Sequence, residues 1–253
     1  MLIKVITERP DFSLQIETDS KKKILFDTGN QNVEKRYEEL FEKKLEFEYI
    51  VLSHGHWDHG NGLEYLKDKK LICHPNSFIK RYRAKDRSYI GLKLNKEELK
   101  EKFELTMKDK AYKISNGVYF LGEINKSNNF EGKISTFEKE NGEMDLVKDD
   151  SGMCFNTEKG LVVISGCSHS GICNIIEHAK RVSGQAKVYA VIGGFHLKIV
   201  DEILEKTINY LEKEQIDYIY TGHCTSDKVI DYLINKLNNV SKLYEGQNIE
   251  LNK

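Results

Sequence analysis

The segment at residues 54–59 constrains this chain most strongly, because it places three imidazoles and one carboxylate within six residues. It reads His-Gly-His-Trp-Asp-His and directly follows an apolar run at residues 47–52, which predicts a buried strand. Imidazole and carboxylate groups suit zinc, iron or manganese. Side chains two positions apart on an extended loop point the same way, so the first two histidines can bind one ion, with Asp58 and His59 offset toward a second. The cluster predicts a metal site at the end of a strand.

Three later segments repeat the order of an apolar run, a polar loop and a helix with one apolar face. Each loop contains one histidine. The runs and their histidines are residues 161–164 with His169, residues 188–192 with His196, and residues 217–220 with His223. Ligands of open α/β sheets collect at the carboxyl ends of strands. We therefore predict an α/β fold in which these three histidines and His54 occupy equivalent strand ends.

The first third of the chain shows the same alternation. Residues 14–17 and 23–26 predict two paired strands, and the second ends at Asp27-Thr-Gly. Apolar residues from Val33 to Leu45 recur at helical spacing, with Asn30 or Asn32 as the candidate cap.

We predict a single domain over residues 1–253, with a charged insertion around residues 76–110 that overhangs the site. The insertion contains a basic run at residues 80–87, interleaved with Tyr82 and followed by Tyr89. Such a run is usually a solvated face. It is also suited to binding an anionic group such as phosphate.

Composition excludes several classes of protein. Thirty-nine Lys and Arg against forty Asp and Glu leave a net charge of -1, which argues against nucleic acid as a partner. The sequence has no signal-peptide core and no stretch of 18 apolar residues, so we expect a cytoplasmic protein that does not bind membranes. Five irregularly spaced cysteines predict reduced thiols. The oligomeric state is left open.

The motifs Asp27-Thr-Gly and residues 54–59, followed by His169 and His223, resemble the metallo-β-lactamase superfamily over nearly the whole chain. The resemblance implies a four-layer αββα sandwich with a mono- or dinuclear metal centre, and it implies that Asp27 orients the ligand loop. In the dinuclear interpretation, the ligands of one ion are His54, His56 and His169, and those of the other are Asp58, His59 and His223.

Three longer segments resemble one branch of that superfamily. These are residues 165–174, 193–197 and 221–225. The branch is named for the 7,8-dihydropterin-6-methyl-4-(β-D-ribofuranosyl)aminobenzene 5′-phosphate synthases.

These features predict a hydrolase with two divalent ions, Zn²⁺ in the first place and Mn²⁺ or iron as alternatives, which activate a water molecule. Asp58 can also accept a proton from that water. The expected substrate is a small phosphoester or phosphodiester, with a lactone or thioester as alternatives. A binding module without turnover is a further alternative. So is an iron-dependent oxidoreductase, although diiron redox relatives carry Glu where this chain has Gly55.

One position departs from the superfamily pattern. Most members bridge the two ions with an Asp where this chain has Cys167. Three alternatives follow: Cys167 is a ligand or a neighbour of the ions, Asp149 or Asp150 replaces the Asp, or no protein group bridges. For His196, a substrate contact, support of a ligand and a structural hydrogen bond are all compatible with the sequence.

Overall fold

The computed structural model describes residues 1–251 of the 253-residue chain. The chain folds into two compact units. The amino-terminal unit comprises residues 1–108, residues 136–144 and the described part of residues 244–253. The carboxyl-terminal unit comprises residues 109–135 and 145–243.

Strands and helices alternate along both units. The strands are β1 (Leu2–Thr7), β2 (Ser13–Glu17), β3 (Lys23–Phe26), β4 (Tyr49–Val51), β5 (Lys70–Cys73), β6 (Arg81–Arg83), β7 (Glu104–Met107), β8 (Tyr112–Ser115), β9 (Val118–Phe120), β10 (Phe137–Lys139), β11 (Gly152–Thr157), β12 (Gly160–Ser165), β13 (Val188–Gly193), β14 (Tyr218–Thr221), β15 (Val240–Lys242) and β16 (Asn248–Glu250). The α-helices are α1 (Val33–Phe41), α2 (Trp57–Gly60), α3 (Lys96–Lys102), α4 (Ile172–Ser183), α5 (Glu202–Lys213) and α6 (Asp227–Lys236).

The amino-terminal unit contains a seven-stranded sheet with the order β16-β1-β2-β3-β4-β5-β7. Strands β3, β4, β5 and β7 run parallel, so their carboxyl ends lie at one edge. Helix α1 begins where Asn32, one of the two predicted caps, accepts a hydrogen bond from the Lys35 amide at 3.1 Å. The helix ends at Phe41, short of the predicted Leu45, because Glu42 turns left-handed at a φ of 53°. Leu45 is nevertheless buried in the core.

The carboxyl-terminal unit contains a second seven-stranded sheet with the order β15-β14-β13-β12-β11-β9-β8. Strands β12 to β15 are parallel, and helices α4, α5 and α6 connect them in turn. All six residues of β12 and of β13 are buried, as expected for parallel strands covered on both faces. The apolar faces of the three helices pack with these strands into one core.

The predicted α/β class is confirmed, since the chain has two large sheets with connecting helices. His54 follows β4, and His169, His196 and His223 follow β12, β13 and β14, which are the predicted strand ends.

Within the charged region around residues 76–110, α3 leads into β7, which is an edge strand of the first sheet. Strand β6 instead pairs with β10 in a separate two-stranded ribbon.

Among residues 1–251, no helix has the length and apolar character needed to span a membrane.

We expect Ile175→Ala to lower the free energy of unfolding by about 2–5 kcal/mol, because Ile175 is fully buried in α4. Ile234→Ala is the matched control, since Ile234 lies in α6 with 41% of its surface exposed, and should cost less than about 1 kcal/mol. Urea denaturation measures both values. Equal losses would contradict the placement of the core.

Candidate metal centre

We call residues 54–59 the ligand loop. It lies at the ends of two neighbouring parallel strands of the amino-terminal unit. Asp27 directly follows β3, and Ser53 and His54 lie just after β4. The Asp27 amide donates a hydrogen bond to the Val51 carbonyl at 2.9 Å, which continues the pairing of the strands to this edge. Asp27 itself has a φ of 56°, an uncommon conformation that ends the strand and turns the chain. The two polar segments are therefore held side by side.

The Asp27 carboxylate is the centre of a fully buried hydrogen-bond network. Its Oδ1 accepts the Ser53 amide at 2.7 Å. Its Oδ2 accepts the Ser53 hydroxyl and the His59 Nδ1–H, each at 2.7 Å. Because the Ser53 hydroxyl donates its one hydrogen to Asp27, its oxygen accepts from His54 Nδ1–H, 2.9 Å away.

This network assigns the ring tautomers of two histidines. A carboxylate only accepts hydrogen bonds, so His59 carries its proton on Nδ1, and the Ser53 relay places the His54 proton on Nδ1 as well. Both rings then present Nε2 with a lone pair. This is the arrangement by which a carboxylate orients a metal-binding histidine and raises its basicity.

His56 places its Nδ1 3.0 Å from Nε2 of His54. Its ring packs edge-on against Phe137 of β10, with the ring centroids 4.8 Å apart at an interplanar angle of 71°. Only 5% of the His56 surface is exposed. The aromatic contact covers one side of the ring, and Nδ1 of His56 lies beside Nε2 of His54.

Asp58 lies in the four-residue helix α2 together with His59. One carboxylate oxygen of Asp58 is 4.0 Å from Nε2 of His59. Burial raises the pKa of the Asp58 carboxyl, whereas the nearby His59 opposes that rise. Asp58 and His59 therefore place one oxygen and one nitrogen that can bind a metal close together on α2.

Gly55 is required by close packing of the backbone. A Cβ atom at this position would lie 1.9 Å from the carbonyl oxygen of Ser77, far inside any contact distance. The loop therefore has no room for a side chain between His54 and His56.

Three side chains of the basic run, for which anion binding was the alternative to a solvated face, make contacts within the amino-terminal unit. Lys80 Nζ lies 2.9 Å from Glu140, and Arg87 lies 2.5 Å from Glu138. Arg81 is fully buried and donates to the Asn76 carbonyl. These contacts favour a structural role for the run over recognition of an anion.

The carboxyl-terminal unit presents a second set of donors. One donor atom from each of Cys167, His223 and Cys224 lies within 4.8 Å of the other two. Cys167 and His223 are buried, with 3% and 8% of their surfaces exposed. Two sulfur donors and one imidazole form a softer set than the oxygen and nitrogen donors of the ligand loop.

The loops after β12, β13 and β14 are joined by short contacts. A Cβ atom on Gly193 would lie 2.1 Å from the Ser165 carbonyl oxygen, so only glycine permits this approach. The Ser168 hydroxyl donates to the Gly194 carbonyl at 2.6 Å, and the Phe195 amide donates to the Thr225 hydroxyl at 2.9 Å. The three loops are thereby held as one group.

Each of these loops contains a left-handed residue other than glycine. Ser168, His196 and His223 have φ angles of 57°, 52° and 51°. Such conformations cost of order 1–3 kcal/mol each and cluster at functional sites, where the surrounding contacts maintain them.

His169 and His196 lie next to each other, with ring centroids 4.4 Å apart. The His196 amide donates to the Cys224 sulfur at 3.3 Å. The backbone of His196 is thus hydrogen-bonded to Cys224, which belongs to the donor group with Cys167 and His223. Its imidazole lies beside that of His169.

The two aspartates considered as alternatives to Cys167 have other surroundings. Asp150 is fully buried and accepts the Ser170 amide at 2.8 Å, and burial raises its pKa to about 6. Asp149 is buried as well. Within the described part of the carboxyl-terminal unit, Cys167 lies in a donor group with His223 and Cys224.

The donors of each unit fit a divalent ion of the zinc class. In the amino-terminal unit, Asp27 and Ser53 hold the Nδ1 protons of two histidines, so that their Nε2 atoms are available as ligands. In the carboxyl-terminal unit, thiol and imidazole groups converge. Nitrogen, sulfur and carboxylate oxygen are the atoms that zinc binds in proteins.

The sequence analysis did not identify two residues that contact the candidate ligands and hold them in place. Ser53 precedes the histidine cluster, and its position at a strand end was a usable signal. Phe137 belongs to a segment that showed no pattern, and no local signal connects it with His56.

Comparison with known proteins agrees with these features. The model of the metallo-beta-lactamase superfamily matches residues 7–76. A 7,8-dihydropterin-6-methyl-4-(beta-D-ribofuranosyl)-aminobenzene-5′-phosphate synthase of Methanocaldococcus jannaschii is 38% identical over 243 residues, covering 86% of this chain and 80% of the relative. An uncharacterised protein of the same organism is 36% identical, covering 90% of this chain and 88% of its own length. A solved structure described as a metal-dependent hydrolase of the beta-lactamase superfamily is 27% identical, with a TM-score of 0.86 over 99% of this chain and 98% of the other.

We expect Asp27→Asn to lower the affinity of the protein for Zn²⁺ by about 10–100-fold, because the amide cannot accept all three hydrogen bonds of the carboxylate. Competition with a chromogenic chelator measures the affinity. Asp68→Asn is the matched control, since 82% of the Asp68 side chain is exposed. An unchanged affinity in a folded Asp27→Asn protein would show that the network does not support metal binding.

Proposed function

Because the chain belongs to the metallo-β-lactamase superfamily, we propose that it is a metal-dependent hydrolase that uses water to cleave a phosphoester or phosphodiester bond in a small molecule. The observation that carries the proposal is the buried Asp27–Ser53 network, which prepares His54 and His59 as metal ligands. The similar solved protein, described as a metal-dependent hydrolase, supports it.

We assign His54, His56 and His169 to one ion and Asp58, His59 and His223 to a second. This joining of donors from both units rests on the resemblance of their motifs to the superfamily. We propose Zn²⁺ for both ions, in accordance with the imidazole donors, and a supporting role for the Cys167 thiol beside His223.

The protein groups have separate tasks in this reaction. Divalent ions held by these residues would supply a water of lowered pKa and a positive charge beside a phosphoryl oxygen. Asp58 accepts the proton of the attacking water on a carboxylate oxygen. Asp27 and Ser53 keep the Nδ1 protons of His54 and His59 in place, so both rings retain their orientation.

The phosphoester class is supported by the synthase relative, whose name includes a 5′-phosphate. A lactone and a thioester are the alternatives, since water activated in this way attacks carbonyl carbon as well.

A synthase activity is the second candidate, and the relative with 38% identity favours it. An iron-dependent oxidoreductase is the alternative of a different class, although residues 54–59 lack the Glu of the diiron redox relatives.

We expect His54→Ala and Asp58→Ala each to lower the hydrolysis rate by at least about 10²-fold, because each removes a ligand and Asp58 also accepts a proton. The measurement is kcat/KM of the zinc-loaded protein on chromogenic phosphomonoesters, phosphodiesters, lactones and thioesters. Circular dichroism should remain native.

Asp68→Ala serves as the control for Asp58→Ala and should retain full activity, because its side chain is 82% exposed. Loss of activity after treatment with a chelator, with recovery on adding Zn²⁺, is the expected companion result. Retained activity in both folded site variants on every accepted substrate would show that the site assignment is wrong.

A further inference from the structure

We propose that a pocket of the carboxyl-terminal unit, lined in part by His169 and His196, binds an aromatic ring that carries an anionic group. This inference rests on the proposed function in one respect, namely that the occupant is part of the substrate. The pocket has a volume of about 260 Å³. Drug-sized ligands occupy pockets of about 300–1,000 Å³, so this one suits a single ring system.

Apolar side chains form part of the walls of the pocket. Phe130, Phe195 and Leu197 line it, and the first two carry aromatic rings suited to packing against a planar ligand. Ile199 and Ile203 also line it, with 63% and 38% of their surfaces exposed. A ligand that covers these side chains removes apolar surface from water, which favours binding.

Two carboxylates line the pocket, but both are occupied at helix amino termini. Glu131 accepts the amides of Cys173 and Asn174 at 3.2 and 3.1 Å, at the start of α4. Asp201 accepts the Leu204 amide at 2.9 Å, at the start of α5. The positive ends of the two helices thus compensate these charges.

Two lysines in the lining have no such compensation. Lys133 and Lys198 both line the pocket, and neither side chain forms an ion pair or hydrogen bond within residues 1–251. The uncompensated charge of the pocket is therefore positive. An anionic group on the ligand satisfies it.

The wall at residues 130–134 is held in place without a ligand. Lys126 donates to the Gly132 carbonyl at 2.7 Å, and Asn128 donates to Glu131 at 2.7 Å. A Cβ atom on Gly171 would lie 2.2 Å from the Glu131 Cβ, so this wall packs directly onto the loop that carries His169. Because the pocket is already formed, little ordering free energy opposes binding.

Isothermal titration calorimetry with benzenesulfonate tests the proposal, because a sulfonate is a weak metal ligand and cannot be hydrolysed here. We expect its Kd to be at least about tenfold lower than that of methanesulfonate, which lacks the ring, and of benzylamine, which has the opposite charge. Similar Kd values for all three compounds would overturn the proposal.

Variants locate the binding. Lys133→Ala combined with Lys198→Ala should raise the Kd of benzenesulfonate about tenfold, whereas Lys228→Ala, an exposed lysine of α6, should not change it. Ile203→Ser should raise the Kd by about threefold or more, and Ile234→Ser, of similar exposure, is its control. Unchanged binding in the pocket variants would overturn the proposal.

The two proposals fail in different ways. His56→Ala should abolish hydrolysis while benzenesulfonate still binds, because His56 does not line the pocket. Hydrolysis without benzenesulfonate binding would refute the pocket and leave the hydrolase intact. Binding without hydrolysis of any substrate would refute the hydrolase and retain the pocket as a ligand site.

Discussion

The carboxylate of Asp27 is the interaction on which the ligand loop depends. It is fully buried, and a buried charge is costly unless hydrogen bonds compensate it. Three donors do so here, from Ser53 and His59. Because each donor is committed to Asp27, the orientation of the imidazoles follows from the position of one carboxylate. Such a network is stable only when every member is satisfied, so a change at one residue disturbs the others.

The carboxyl-terminal unit positions its groups differently, by close approach of loop backbones that side-chain hydroxyls and a thiol join to one another. Gly193 and Gly194 permit adjacent loops to approach closely, and Ser168 hydrogen-bonds the second of them. His196 and His223 are held in left-handed conformations on these loops. The buried strands β12 and β13 provide the rigid support that such strained positions need. The two units therefore achieve the same result, fixed imidazoles at strand ends, by different physical means.

Much of this arrangement could be predicted from the sequence. Apolar runs mark strands, and a helical period marks the helices that follow, so the location of His54, His169, His196 and His223 at strand ends was accessible. What could not be predicted depends on contacts between distant residues. Phe137 packs on His56, and Glu131 bonds the start of α4, yet their segment has no periodic pattern. The sequence also left Cys167 open, because its proximity to His223 depends on how two loops meet.

The most direct test of this account is the protonation of the ligand-loop imidazoles. Nitrogen-15 NMR of histidine-labelled protein, before metal is added and at a pH where the rings are neutral, distinguishes the two tautomers of each ring. We expect a proton on Nδ1 and an unprotonated Nε2 for both His54 and His59, since Asp27 and Ser53 accept hydrogen bonds from the Nδ1 side. Ser53→Ala should change the signal of His54 more than that of His59. A proton on Nε2 of either histidine in the folded protein would contradict the account.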